Sequence, residues 1–136
     1  EFDARIRRFL RLSPDETVLY VVESRAVPNR LIKAYDVHGS GKRLRNARTF
    51  IDAGPGTPDG FRCDVDGNLW CGWGMGRADL DGVRIFAPDG APIGHIRLPE
   101  RCANLSFGGL KPNRLFMAAS QSVYALYVQT QGAPGG

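Results

Sequence analysis

Apolar and polar positions alternate with a period of two along most of the chain, and no stretch sustains the 3.6-residue period of an amphipathic helix. Strands joined by tight turns follow from this, because alternation sends successive side chains of an extended backbone to opposite faces. Three of the strands are copies of one pattern. Residues 17–24 read TVLYVVES, 68–74 read NLWCGWG and 114–120 read RLFMAAS. Each places a leucine, an aromatic and a smaller or softer apolar residue in register: Leu19-Tyr20-Val21, Leu69-Trp70-Cys71 and Leu115-Phe116-Met117.

The surroundings repeat as well. A turn precedes each copy, at 13–16, 64–67 and 109–113, and a short strand precedes each turn, at 8–12, 61–63 and 105–107. A third strand follows each copy, at 30–37, 82–86 and 122–128, and the first two units continue to a fourth, at 48–51 and 92–98. The leucines are spaced by 50 and then 46 positions, close to the ~40–50 residues of a four-stranded propeller blade. The fold class is therefore all-β, a β-propeller of about three blades over 8–53, 60–98 and 102–128, followed by a disordered tail at 129–136. One such sheet buries little alone, so blades stack face to face. Leu19, Leu69 and Leu115 are expected in inter-blade cores with Val21, Cys71 and Met117, and Tyr20, Trp70 and Phe116 on the opposite faces. Three blades do not close a ring, and the third lacks a fourth strand. The chain reads as the C-terminal half of a larger propeller, whose exposed faces call for missing N-terminal blades or a second copy in a homodimer.

The length of 136 residues suits one domain. No apolar run approaches the ~20 residues of a membrane span, and the N-terminus lacks the apolar core of a secretory signal, so a soluble protein with no membrane partner is expected. A formal charge of +4 and a pI of about 9.3 come mostly from dispersed residues. The cluster Lys42, Arg43, Arg45 and Arg48 sits by a Gly-Ser-Gly segment and reads as a solvated loop, with no nucleic-acid partner. Cys63, Cys71 and Cys102 show no CxxC spacing and read as reduced core residues of a cytoplasmic protein. A two-residue hairpin at Asp66-Gly67 would set Cys63 opposite Trp70 and Cys71 opposite Arg62, with the two thiols on opposite faces.

One acidic residue stands apart. In Thr57-Pro58-Asp59-Gly60 a Pro-Asp-Gly corner leads into the innermost strand of a blade, beside the propeller axis. Pro58 fixes the approach, Gly60 lets backbones pass closely, and Asp59 would project inward as an oxygen ligand for a hard cation. The alternative for any such Asp is plain turn chemistry, which is the reading adopted for Asp15, Asp66 and Asp89.

Taken in order, SPDE-x-x-LYV, PDGFRCDVDGNLW, GVRIFAPDG-x-x-IGHIRLPE and ANLSFGG resemble the gluconolactonase and regucalcin (senescence marker protein) family of six-bladed propellers, from about Leu12 to Tyr127. The resemblance implies a metal-dependent hydrolase of small sugar lactones, with one divalent metal, calcium or zinc, at the top of the channel and Asp59 as metal ligand and catalytic carboxylate. It also implies a second ligand, an asparagine of an Asn-Gly pair, where this chain has Arg8 and Phe9, and a glutamate from a first blade that this chain lacks. Asn104, placed like Asp59 before the innermost strand of the last blade, is a channel-lining candidate or a turn cap. Trp73 and Met75, in the Gly-rich segment 72–76, are candidate ligand-facing residues. His38 and His95 have no evident partner for acid–base work. The competing reading is a non-catalytic interaction module with a decayed metal site, which the Arg8-Phe9 departure favours.

Overall fold

The computed structural model describes residues 9–134, in eleven strands and no α-helix. The first sheet holds β1 (Leu10–Leu12), β2 (Val18–Glu23), β3 (Leu31–His38) and β4 (Arg43–Asp52) in that order. The second holds β5 (Pro58–Cys63), β6 (Leu69–Trp73), β7 (Gly82–Phe86) and β8 (Pro92–Arg97). The third has three strands, β9 (Cys102–Gly108), β10 (Arg114–Ala119) and β11 (Val123–Tyr127). All neighbours are antiparallel, and the first strand of each unit is an edge strand. These are three successive blades, and the expected all-β propeller architecture holds.

Two cores join them. Between the first two blades, Tyr20, Val22, Ile32, Ala34 and Ile51 meet Phe61, Cys63, Leu69, Cys71, Trp73 and Phe86. Between the second and third, Trp70, Val83 and Leu98 meet Cys102, Leu105, Leu115 and Met117. Leu69, Cys71, Leu115 and Met117 are thus buried as expected. Leu19 and Val21 are only half-buried; the parity of β2 sends them to the outer face of the first blade, away from Tyr20 and Val22. On the far face of the third blade Phe116 is half-buried and Val123 and Tyr127 are exposed.

Three expectations need correcting. The basic cluster is not a loop: Arg43, Arg45 and Arg48 belong to β4, which pairs with β3 through two irregularities and tolerates a positive φ of 52° at Asn46. Asp36 anchors this strand by accepting from Asn46 Nδ2 and Arg48 Nη1, each at 2.7 Å. The described part of the tail, 129–134, is not frayed. Val65 N donates to Gln131 O, Gly132 N to Pro112 O and Ala133 N to Cys63 O.

The third correction concerns the hairpin at Asp66-Gly67. It is longer than two residues, because Asp64 N donates to Asn68 O and Cys63 pairs with Leu69. Register therefore moves by one position, and Cys63 and Cys71 point to the same core rather than to opposite faces. Asp64 causes this. Its carboxylate is fully buried and accepts the backbone N–H of Asp66 and Asn68 on Oδ1, and Asn68 Nδ2 and Trp70 Nε1 on Oδ2, all at 2.9–3.0 Å. Four donors replace water around the charge, which is what a buried carboxylate requires.

Replacing Asp64 with Ala strands the Trp70 indole N–H and two backbone N–H groups. The expected loss of stability is about 3 kcal/mol, read from the shift of the urea midpoint; a loss below about 1 kcal/mol would contradict the assignment.

All three cysteines are free and buried. Burial pushes the Cys63 thiol up to about 12 and Cys102 up to about 11, and raises Cys71 as well. Thiols so far from ionisation are poor nucleophiles at neutral pH. Mass spectrometry after brief iodoacetamide treatment is expected to find none of the three labelled in the native chain and all three after denaturation.

Candidate active site at the entrance of β5

Asp59 lies on a β-bulge. Pro58 pairs with Trp73 and Phe61 with Cys71, so Asp59 and Gly60 together face the single residue Gly72. A bulge re-aims the side chain it carries and increases local twist. The bulge forms here because the blades converge: a Cβ on Gly72 would lie 2.7 Å from Cys102 O and 3.2 Å from Gly60 O, and one on Gly60 would collide with the Asn104 side-chain oxygen. A side chain at Gly72 would run into backbone, and one at Gly60 would displace the Asn104 side chain. Asp59 itself is half-buried, and its backbone carbonyl faces the Cys71 thiol at 4.0 Å.

The innermost strand of the third blade has a matching irregularity. Ala118 pairs with Asn104 and Ala119 with Cys102, leaving Ala103 as the extra residue. Asn104 is half-buried, its side chain lies over Gly60, and its Oδ1 accepts the Leu105 N–H at 2.9 Å. The adjacent blade thus sets Asn104 against Gly60, the residue that follows Asp59. Met75 belongs to the same end, because β6 leaves beside the entrance of β5 and the Met75 thioether lies against the Thr57 hydroxyl.

Trp73 does not belong to this site. It shares the parity of Leu69 and Cys71 and is 3% exposed in the core between the first two blades. There its ring lies 5.7 Å from that of Phe86, with the Arg84 guanidinium 5.8 Å from its centroid, and closes over Gly56. The expected ligand-facing role is corrected accordingly: β6 continues through Trp73, so strand alternation decides its direction.

Two features went unread in the sequence. One is the pair of arginines at the Phe61 carbonyl: Arg62 Nη1 donates to Phe61 O at 2.8 Å and Arg11 Nε donates to the same oxygen at 3.3 Å. Burial, with Arg11 nearby, lowers Arg62 to about 10, still fully charged at neutral pH. The other is Asp81, 3% exposed, whose Oδ1 accepts the backbone N–H of Met75 and Gly76 at 3.0 and 2.9 Å. A bond between a carboxylate and backbone five or six residues earlier leaves no periodic mark in the sequence. His38 is exposed at the end of β3, and His95 on β8 faces the Asp81 carbonyl at 3.2 Å, away from Asp59.

The donor set is small for a metal. Among the described residues no group of three His, Cys, Asp or Glu side chains converges. Asp59 offers one carboxylate, and the Asn104 oxygen beside it already accepts an N–H. Phe9 packs as a hydrophobe against the first core, and Arg8 lies outside the described residues. These residues do not by themselves fit a divalent cation.

Comparison with known proteins places this geometry in context. The model of the SMP-30/gluconolactonase/LRE-like region matches residues 5–121. The chain is 40% identical over 131 residues to a gluconolactonase of Zymomonas mobilis subsp. mobilis, an alignment covering 90% of this chain and 35% of that protein. It superposes on the solved gluconolactonase of Xanthomonas campestris with a TM-score of 0.72 at 32% identity, over 87% of this chain and 36% of that one. A luciferin-regenerating enzyme shares the fold, with a TM-score of 0.76 at 21% identity over 90% and 45% of the two chains. The chain therefore spans less than half the length of each of these relatives. With a match running from the first blade into the third and across the Pro58-Asp59-Gly60 corner, the chain belongs to the SMP-30/gluconolactonase/LRE-like family.

Proposed function

We propose that this chain is part of a hydrolase of small sugar lactones, with Asp59 as its catalytic carboxylate. The observation that carries the reading is the placement of Asp59, on a bulge at the axial entrance of an innermost strand, in a family with gluconolactonases among its members. In this reading Asp59 takes a proton from a water molecule whose oxygen attacks the lactone carbonyl carbon. The tetrahedral adduct then collapses, the ring C–O bond breaks, and the proton passes to the departing ring oxygen, leaving a hydroxy acid. Asn104, adjacent across Gly60, lines the same site and orients the lactone. A divalent metal, calcium or zinc, belongs to the proposal only with ligands beyond the described residues; bound there it would polarise the carbonyl.

The test is hydrolysis of glucono-δ-lactone with added calcium or zinc, by this chain and by a longer chain that supplies further blades. Asp59→Asn is expected to lower the rate of the active form by at least about 100-fold without changing its thermal midpoint. An unchanged rate overturns the assignment. A second reading, a non-catalytic interaction module, is favoured by the single carboxylate and by Phe9 standing where the family's ligand pair is expected. Absence of turnover by the longer chain with either metal would select it.

The same proposal assigns cover to the two open faces. Leu19 and Val21 on the first blade and Phe116, Val123 and Tyr127 on the third would be sheathed by further N-terminal blades or by a second copy of the chain. The 136-residue chain alone is expected to run as a dimer or larger species in light scattering at micromolar concentration. A stable folded monomer would contradict the burial of both faces. Three unpaired thiols suit a reducing cytoplasmic setting, and among the described residues no helix is long and apolar enough to cross a membrane.

A further inference from the structure

An apolar side chain is held out toward solvent on an unusually constrained backbone beside Asp59. Gly74 and Gly76 have φ of 155° and 75°, and a Cβ on Gly74 would lie 2.5 Å from Asp81 Oδ1 and 3.0 Å from the Arg101 Cα. Between these two glycines stands Met75, 46% exposed. Its N–H and that of Gly76 close on the Oδ1 of Asp81, which is itself 3% exposed. Two backbone donors around one buried carboxylate oxygen form a rigid clamp, because breaking either bond leaves a charge in the interior with less solvation. The clamp fixes the turn rather than the Met75 side chain, which keeps its flexible thioether.

Position gives the turn its use. Trp73 is the last residue of β6 and pairs with Pro58, so Gly74 leaves the sheet directly beside the residue before Asp59. The Met75 sulfur contacts Thr57, two residues before Asp59. A scattered exposed methionine needs no explanation. One presented between a crowded glycine and a second glycine at positive φ, held by a buried carboxylate and touching Thr57 two residues before the candidate catalytic group, is positioned as sites are, with a supporting group locking the contact residue's backbone.

We propose that the turn from Gly74 to Gly76 is the specificity wall of the Asp59 site, with Met75 packing on the C–H face of the bound lactone ring and Asp81 the positioning residue that holds the turn. This inference rests on the lactonase reading and deepens it. A thioether donates no hydrogen bond and accepts only weakly, so it selects the ring orientation that turns C–H groups toward it and leaves hydroxyl groups for the polar side of the site. Asp81 acts only through the turn and touches no substrate.

The chain has two methionines, Met75 and Met117, and Met117 is 1% exposed. A sample carrying 13C-methyl methionine therefore gives one reporter at the wall and one in the core. With glucono-δ-lactone as the probe, the Met75 methyl and the Gly60 backbone amide are expected to shift along one common saturation curve while Met117 stays still. Met75→Gln is expected to weaken the affinity read at Gly60 by about five-fold, and Met75→Leu to restore most of it. Asp81→Ala should abolish the lactone-induced shift at Met75 while Gly60 still responds. Asp81→Asn, whose amide oxygen still accepts both N–H groups, should retain it.

A Gly60 response without a Met75 response overturns the wall and leaves the lactonase reading standing. No response at either reporter overturns the inference as well, and the lactonase reading is then decided by turnover of the longer chain. If Asp81→Ala perturbs Met117, and so the fold, the Met75 variants decide: unchanged affinity in Met75→Gln overturns the inference.

Discussion

On β6, Leu69, Cys71 and Trp73 pack against the first blade while Trp70, between them, packs against the third, so one five-residue strand serves two cores. A sheet whose side chains are apolar on both faces has no side left for water. At ~25 cal/mol per Å² of apolar surface, leaving either face of such a blade wet costs several kcal/mol, comparable to the whole stability of a small domain. The stacking of blades is therefore the condition under which these strands exist, and the geometry near the axis follows from it. Strands that converge toward an axis bring backbones into contact, which is why Gly60 and Gly72 stand where β5 and β6 meet β9. The same crowding sets the bulge that carries Asp59.

Three aspartates in the second blade show how differently one side chain is used. Asp64 and Asp81 are buried carboxylates ringed by N–H donors, and each fixes a turn at an opposite end of β6. Asp64 also reaches Trp70, whose ring meets Phe107 of the third blade edge-on at 5.5 Å, so turn and inter-blade core are fastened together. Asp59 instead sits half-buried where two blades meet, one residue before the glycine on which the Asn104 amide of the neighbouring blade rests. The outer edge of the first blade uses the opposite charge: Arg43, Arg45 and Arg48 line exposed β4, and such charges discourage another strand from pairing there.

The repeat was legible because stacking imposes it three times. Leu69-Trp70-Cys71 and its copies announce strands buried on both sides, and all eleven strands lie where alternation and turn residues put them, most within two residues. β4 was underestimated because its first half is exposed on both faces and carries no apolar alternation beyond Leu44, which is indistinguishable from a loop by pattern. The hairpin register was misread because Asp64, a residue with no pattern of its own, enlarges the turn through side-chain bonds. That Asp59 and Asn104 stand near the starts of innermost strands was legible, but not that they lie within β5 and β9 next to irregularities of register, because a bulge leaves no mark in the apolar pattern. Trp73 was misassigned to the site because its Gly-rich neighbours suggest a loop, although it lies in phase with Leu69 and Cys71. Asp81 stayed hidden because its partners are backbone groups, which sequence does not distinguish.

The repeat also explains the least satisfied face of the chain. Tyr20, Trp70 and Phe116 occupy equivalent positions, and the first two are buried toward the next blade; Phe107 of the third blade lies 5.5 Å from Trp70, and Phe50 of its own blade lies 4.8 Å from Tyr20. Phe116 has no such ring over it among the described residues. Its cover is Arg114, whose guanidinium lies 5.1 Å from the Phe116 centroid and 5.5 Å from that of Tyr127. An exposed cation over a ring contributes about 0.5–1 kcal/mol, whereas burying a large apolar side chain contributes about 1.5–3 kcal/mol. Arg114 thus shields this face without replacing a blade. The aliphatic stem of an arginine can lie along an aromatic surface while its head stays hydrated, so one exposed side chain shields two rings without leaving a buried charge.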